Sequence, residues 1–121
     1  MSRPLVIIGH RMGKGERIAK GVEEAGGEAY VIPGMLADMK LGDVMQEKNA
    51  DLGLSFCGSG GAGALTAANK YGYKYKQYQR TADAFHTAVM EGCQVIGGPF
   101  MDDEQIGRVV VEAWKKVHGD E

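Results

Sequence analysis

The sequence has no excess of positive charge, no long apolar run and only two cysteines, and each shortage closes a class of explanation. Fourteen Lys and Arg stand against sixteen Asp and Glu, a formal net charge of -2. A nucleic-acid partner is therefore not expected, because nothing in the balance would neutralise a phosphate backbone. No apolar stretch approaches the ~20 residues that cross a bilayer, so membrane insertion is not expected either. The opening MSRPLVIIGH carries a short apolar run without a small-residue cleavage site, which predicts a cytoplasmic protein. Cys57 ends one strand pattern and Cys93 begins another. In a parallel sheet those positions fall on opposite edges, about 15 Å apart for a five-residue strand at ~3.3 Å per residue. A disulfide needs Cα atoms within ~7 Å, so two free thiols are predicted. No His, Cys and Asp fall at metal-ligand spacing, so neither a metal nor another cofactor is expected.

What the chain does have is glycine, 19 residues of 121. They fall where elements end, as turns and helix caps do. Between them, strands are predicted over Leu5–Ile8, Ala29–Ile32, Leu52–Phe56, Tyr73–Tyr78 and Cys93–Ile96. Helices are predicted over Gly13–Ala25, about 36–48, Ala62–Lys70, from a Thr81 cap to Met90, and after Asp102-Asp103. The length suits one domain over 1–121 and is too short for two. Five strands alternating with five helices predict an α/β fold, a three-layer αβα sandwich with a five-stranded parallel sheet. In such a sheet ligands bind at the C-terminal strand ends. That edge carries His10 and Arg11, Pro33 to Met35, Cys57 to Gly61, Gln79 to Thr81 and Gly97 to Phe100.

One stretch stands out on that edge, SFCGSGGAGALTAANK over residues 55–70. Gly58 to Gly63 matches G-x-G-x-x-G, but the dinucleotide version wants the first strand–helix unit and an acid ending the next strand. The next strand here ends in Gln79-Arg80, and no G-K-[ST] follows to make a P-loop. No arginine lies between Cys57 and Lys70 to form a phosphatase-type cysteine loop. What remains is a helix N-terminus with free N–H groups, a positive dipole end and a thiol where an anionic form is favoured. Such a loop could supply both a base and an anion hole. Its plainer alternative is a buried cysteine beside glycines chosen for tight strand–helix packing.

The run from Ala50-Asp51 through Cys57-Gly58-Ser59-Gly60 to Ala67-Ala68-Asn69-Lys70 resembles the core of the ribose/galactose isomerase family. That family includes the type-B ribose-5-phosphate isomerases and the galactose-6-phosphate isomerase subunits. The Ser-Phe-Cys-Gly-Ser stretch also resembles the motif of a glycine-rich SFCGS family of small bacterial proteins. The chain is identified as a member of that second family, with the isomerases as distant relatives. The resemblance implies that Cys57 moves a proton between adjacent carbons and that Ser59 and the Gly58, Gly60 and Gly61 backbone hold the enediolate oxygen. It places Asn69 as a loop-fixing residue, His10 near a phosphate-binding loop, and Arg11 beside it. The isomerases' first loop carries an acid and a histidine, whereas His10-Arg11-Met12-Gly13 has no acid. Their ring-opening histidine falls at about Arg80, which cannot take a proton at neutral pH. Arg80 is better suited to hold an anion. The implied ligand is a phosphorylated sugar or sugar acid, handled by an isomerase-like enzyme or held by a non-catalytic accessory subunit. A phosphocysteine carrier is a weaker alternative.

His86 sits with Phe85, Val89 and Met90 at helical spacing and reads as a packing residue. The Tyr71–Tyr78 run, with Lys74 and Lys76 interleaved, reads as an edge strand suited to an oligomer contact. Met35, Met39 and Met45 suit core filling or a flap. The isomerases resembled are oligomers, so a homodimer or larger assembly is expected.

Overall fold

The computed structural model describes residues 3–119. Its strands are β1 (Leu5–His10), β2 (Glu28–Val31), β3 (Leu52–Phe56), β4 (Tyr75–Lys76) and β5 (Val95–Gly98). Its α-helices are α1 (Glu16–Glu24), α2 (Leu41–Lys48), α3 (Ala62–Tyr71), α4 (Ala82–Met90) and α5 (Glu104–Val117), with a 3-10 turn over Ala37–Lys40. All strand pairs are parallel, in the order β2-β1-β3-β5-β4. The predicted α/β sandwich is the observed fold.

Alternation along the central strands sorts the core into two layers. Val6, Ile8, Leu54 and Phe56 pack with Ile18 and Val22 of α1, Phe85 of α4 and Val110 of α5. Ile7 and Val95 point the other way, onto Leu41 and Met45 of α2 and Ala64 and Ala67 of α3. The helices following β1 and β3 thus lie on opposite faces, although the two strands are neighbours. Their C-terminal ends open a crevice, where ligands bind in sheets of this kind.

Several element ends differ from the sequence reading, and those that bear on the site are as follows. The helix expected over 36–48 begins as the 3-10 turn, entered through Leu36 in the left-handed region (φ 62). The fourth strand shrinks to Tyr75–Lys76 on the sheet edge. Tyr78 turns left-handed (φ 65) and its N–H goes to the Gly60 carbonyl at 2.9 Å, ending the ladder. The fifth strand starts two residues late, because the Cys93 N–H closes α4 on the Ala88 carbonyl. It runs on through Gly97 and Gly98, which pair with Ser55 and Phe56. Both thiols are free, as predicted, and both are buried. No helix among the described residues is long and apolar enough to cross a membrane.

Candidate functional site

Cys57 follows β3 directly, and its side chain is 2 % exposed. Its sulfur accepts backbone N–H groups from Ser59 at 3.4 Å and Ala62 at 3.3 Å. Ala62 is the first residue of α3, so the sulfur occupies the helix entrance. Three other helices that start at this edge carry oxygen caps instead. Asp102 Oδ1 takes the Arg17 and Ile18 amides of α1 at 3.1 and 3.0 Å. Thr81 caps α4 on the Ala84 amide and Asp103 caps α5 on the Gln105 amide. Among these four helices, α3 alone has a thiol in that role. The Gly58 and Gly61 amides find no acceptor among the described residues, leaving donors for an anion.

Packing accounts for much of the glycine content. Gly60 and Gly61 are left-handed (φ 75 and 91), a conformation that costs other residues about 1–2 kcal/mol. A Cβ on Gly61 would strike the Gly97 backbone, and one on Gly60 would strike the Tyr78 ring. One on Gly63 would run into the Asp38 carbonyl and the Ser55 hydroxyl. Gly58 is the exposed member, with the Phe100 ring at its side. The predicted loop is therefore both a packing device and a set of free donors.

The neighbouring loop after β1 is stitched to this one. The Arg11 N–H donates to the Phe56 carbonyl at 2.8 Å, and the Leu36 N–H to the Arg11 carbonyl at 2.7 Å. His10 is 3 % exposed and sits against Phe56 and Phe100, with ring centroids at 6.2 and 5.6 Å. Its Nδ1 accepts the Met12 amide at 3.0 Å, so the neutral ring carries its proton on Nε2. Burial lowers its pKa, and Lys14 adds to this, against the opposing pull of Asp102, Asp38 and Glu16. By strand alternation His10 belongs to the face of Ile8, whereas Cys57 belongs to the face of α3. Phe100 stands between His10 and Gly58 and lines, with His10, Met12, Lys14, Met101 and Asp102, an open cavity of about 360 Å³.

The remaining predicted residues are placed as follows. Ser59 is exposed at the loop tip, contributing its amide to the sulfur. Arg11 is half-buried over the crevice. Arg80 is exposed at the exit from β4, next to the Tyr78–Gln79 strap that bonds Gly60 and Gly97. Asn69 is not brought to the loop. It is exposed near the far end of α3, seven residues beyond Ala62 and so about 10 Å along the axis. His86 is half-buried, as a packing residue would be.

Two residues of this edge escaped the sequence reading. Tyr78 covers Gly60, and its signal, a left-handed backbone at a non-glycine residue, is conformational rather than compositional. Asp38 is fully buried in the 3-10 turn, with the Arg11 Nη1 at 3.6 Å from its Oδ2. Among the described residues no cluster of three or more His, Cys, Asp or Glu could hold a metal ion.

The architecture is that of the type-B ribose-5-phosphate isomerases. The enzyme B of Giardia lamblia superposes with a TM-score of 0.67 at 12 % identity, covering 92 % of this chain and 93 % of that one. The type-B enzyme of Trypanosoma brucei gives 0.64 at 19 % identity, covering 98 % and 97 %. At this identity the likeness is one of fold. The family is fixed by sequence: the glycine-rich SFCGS model matches residues 5–117, and the chain belongs to that family. No curated protein matches the sequence.

Proposed function

We propose that the chain binds a phosphorylated sugar or sugar acid in the β1–β3 crevice and shuttles a proton on it through Cys57, as an isomerase does. The supporting observation is the Cys57 sulfur, held by two backbone amides at the entrance of α3 where other helices carry oxygen caps. A sulfur so held would exchange a proton with a carbon beside a carbonyl. The Gly58 and Gly61 amides would receive the oxygen on which negative charge develops. Ser59, Arg11 and Arg80 would gather the ligand's anionic group. His10, whose neutral ring holds its proton on Nε2, would donate to a ligand oxygen without carrying charge.

The test is solvent deuterium exchange at the carbon beside the carbonyl, followed by NMR across a panel of sugar phosphates and phosphorylated sugar acids. Exchange that vanishes in Cys57→Ala is expected; exchange that persists there rules the mechanism out. One observation favours a second reading, a binding or accessory subunit without turnover: the Cys57 side chain is 2 % exposed. Ligand protection against thermal unfolding with no exchange on any ligand is its signature.

A homo-oligomer also fits this edge. Met12, Met35, Leu36, Met39, Tyr78 and Phe100 are exposed large apolar residues in the loops and 3-10 turn on this side of the sheet, more than a lone surface usually leaves uncovered in one place. Sedimentation velocity giving a dimer or larger species supports it, and a monomer at all concentrations contradicts it.

A further inference from the structure

Asp38 is a liability that the fold alone does not explain. Its side chain is wholly buried, yet neither carboxylate oxygen has a hydrogen-bond partner among the described residues. The Ser55 hydroxyl is likewise buried and unpartnered. The Ser55 hydroxyl lies by the Asp38 backbone, because the Asp38 main-chain carbonyl and that hydroxyl crowd the same side of Gly63 in the first turn of α3. The Asp38 backbone also lies against Gly9 at the end of β1, at 3.1 Å from where a Cβ would stand. The turn is entered through the left-handed Leu36, so backbone strain sits beside the unpartnered carboxylate. Buried polar atoms without partners are costly, and together with strain they concentrate at functional sites. Among the described residues the charge on Asp38 is answered by one group, the Arg11 guanidinium at 3.6 Å, which is itself 43 % exposed. That separation is an ion pair without a hydrogen bond.

We propose that Asp38 is the ligand-responsive carboxylate of the crevice, covered by Arg11 in the empty protein and uncovered to accept a ligand hydroxyl when the ligand's anionic group draws Arg11 away. This rests on the anion-binding reading given above and adds to it the ligand's second half. The site would then recognise a polyhydroxylated anion, with Arg11, Ser59 and Arg80 taking the anion, the Gly58 and Gly61 amides the carbonyl oxygen, and Asp38 a neighbouring hydroxyl. It also supplies an acid that the His10-Arg11 loop lacks.

The test compares inorganic phosphate with a set of phosphorylated three- to five-carbon sugars and sugar acids, by calorimetry on the wild type and Asp38→Asn. In the wild type the best hydroxylated ligand should exceed inorganic phosphate about tenfold, the scale of one hydrogen bond to a charged group. Asp38→Asn should erase that advantage while leaving inorganic phosphate binding equal or tighter, since an amide no longer competes for Arg11. Equal loss for every ligand marks a structural role and overturns the proposal, as does an unchanged ratio or a wild type that prefers none of the set. A wild type that binds neither phosphate nor any of these ligands removes the anion-site reading itself. Should Asp38→Asn fail to fold, Arg11→Gln tests the pair from its exposed side. It should weaken inorganic phosphate about tenfold and lower the melting temperature by leaving the buried carboxylate unanswered. Unchanged phosphate affinity there overturns the proposal equally.

Discussion

The α1–α5 seam and the β1–β3 crevice are built from the same small residues and could hardly be more different. At the seam, a Cβ on Gly21 would overlap the Glu104 carbonyl, and one on Gly107 would overlap the Ile18 carbonyl. The two helices close reciprocally, and Arg108 of α5 ties them by reaching Glu24 of α1, while Glu104 of its own helix holds it at 2.9 Å. The crevice also depends on close approach, at Gly61 and Gly63. There, however, the structure leaves Asp38 and Ser55 unpartnered and two non-glycine residues, Leu36 and Tyr78, left-handed. Glycine at the seam serves stability alone. In the crevice it admits polar groups that stability would exclude.

Breaking the seam should have the largest effect. Gly21→Ala puts a methyl group into backbone that cannot yield, and should lose about 3 kcal/mol or fail to fold, read by denaturant unfolding. A variant within 1 kcal/mol of wild type would show that the helices can slide apart. A smaller, pH-dependent effect belongs to His10. Its folded pKa is lowered chiefly by burial, so its contribution to stability is complete above about 6.5 and is lost as pH falls below that value. Melting temperatures between pH 7.5 and 5.5 should fall for wild type and fall less for His10→Gln. The same slope in both would mean that the imidazole does not set the acid limb. The smallest effect should be a gain. Leu36→Gly exchanges left-handed strain of about 1–2 kcal/mol for glycine's entropy cost of about 0.5–1 kcal/mol. A modest rise in melting temperature is expected, and a clear fall would mean that the Leu36 side chain matters more than its backbone.

These contrasts also explain what could be read in advance. Continuous apolar runs such as Leu5–Ile8, separated by amphipathic segments, define a buried parallel sheet with covering helices. The Cys57 loop declared itself because a thiol and four glycines in seven residues are conspicuous in any order. Gly97 and Gly98 misled, since glycines usually end strands; here they extend β5 because Gly61 must pass close by. Asp38 was invisible for a different reason. Leu-Ala-Asp-Met-Lys reads as the polar and apolar faces of an ordinary helix start, and its burial arises only when three loops distant in sequence converge. Asn69 was assigned to the loop from motif position alone, although the helix predicted over Ala62–Lys70 already put it at the end away from the thiol.

The account turns on whether the sulfur at the α3 entrance exchanges a proton with a bound ligand. The most direct measurement is deuterium incorporation beside the carbonyl of a bound sugar phosphate or sugar acid, comparing wild type with Cys57→Ala at matched ligand occupancy. The account predicts incorporation in the wild type and none above the uncatalysed background in the variant. Equal incorporation in both would contradict it.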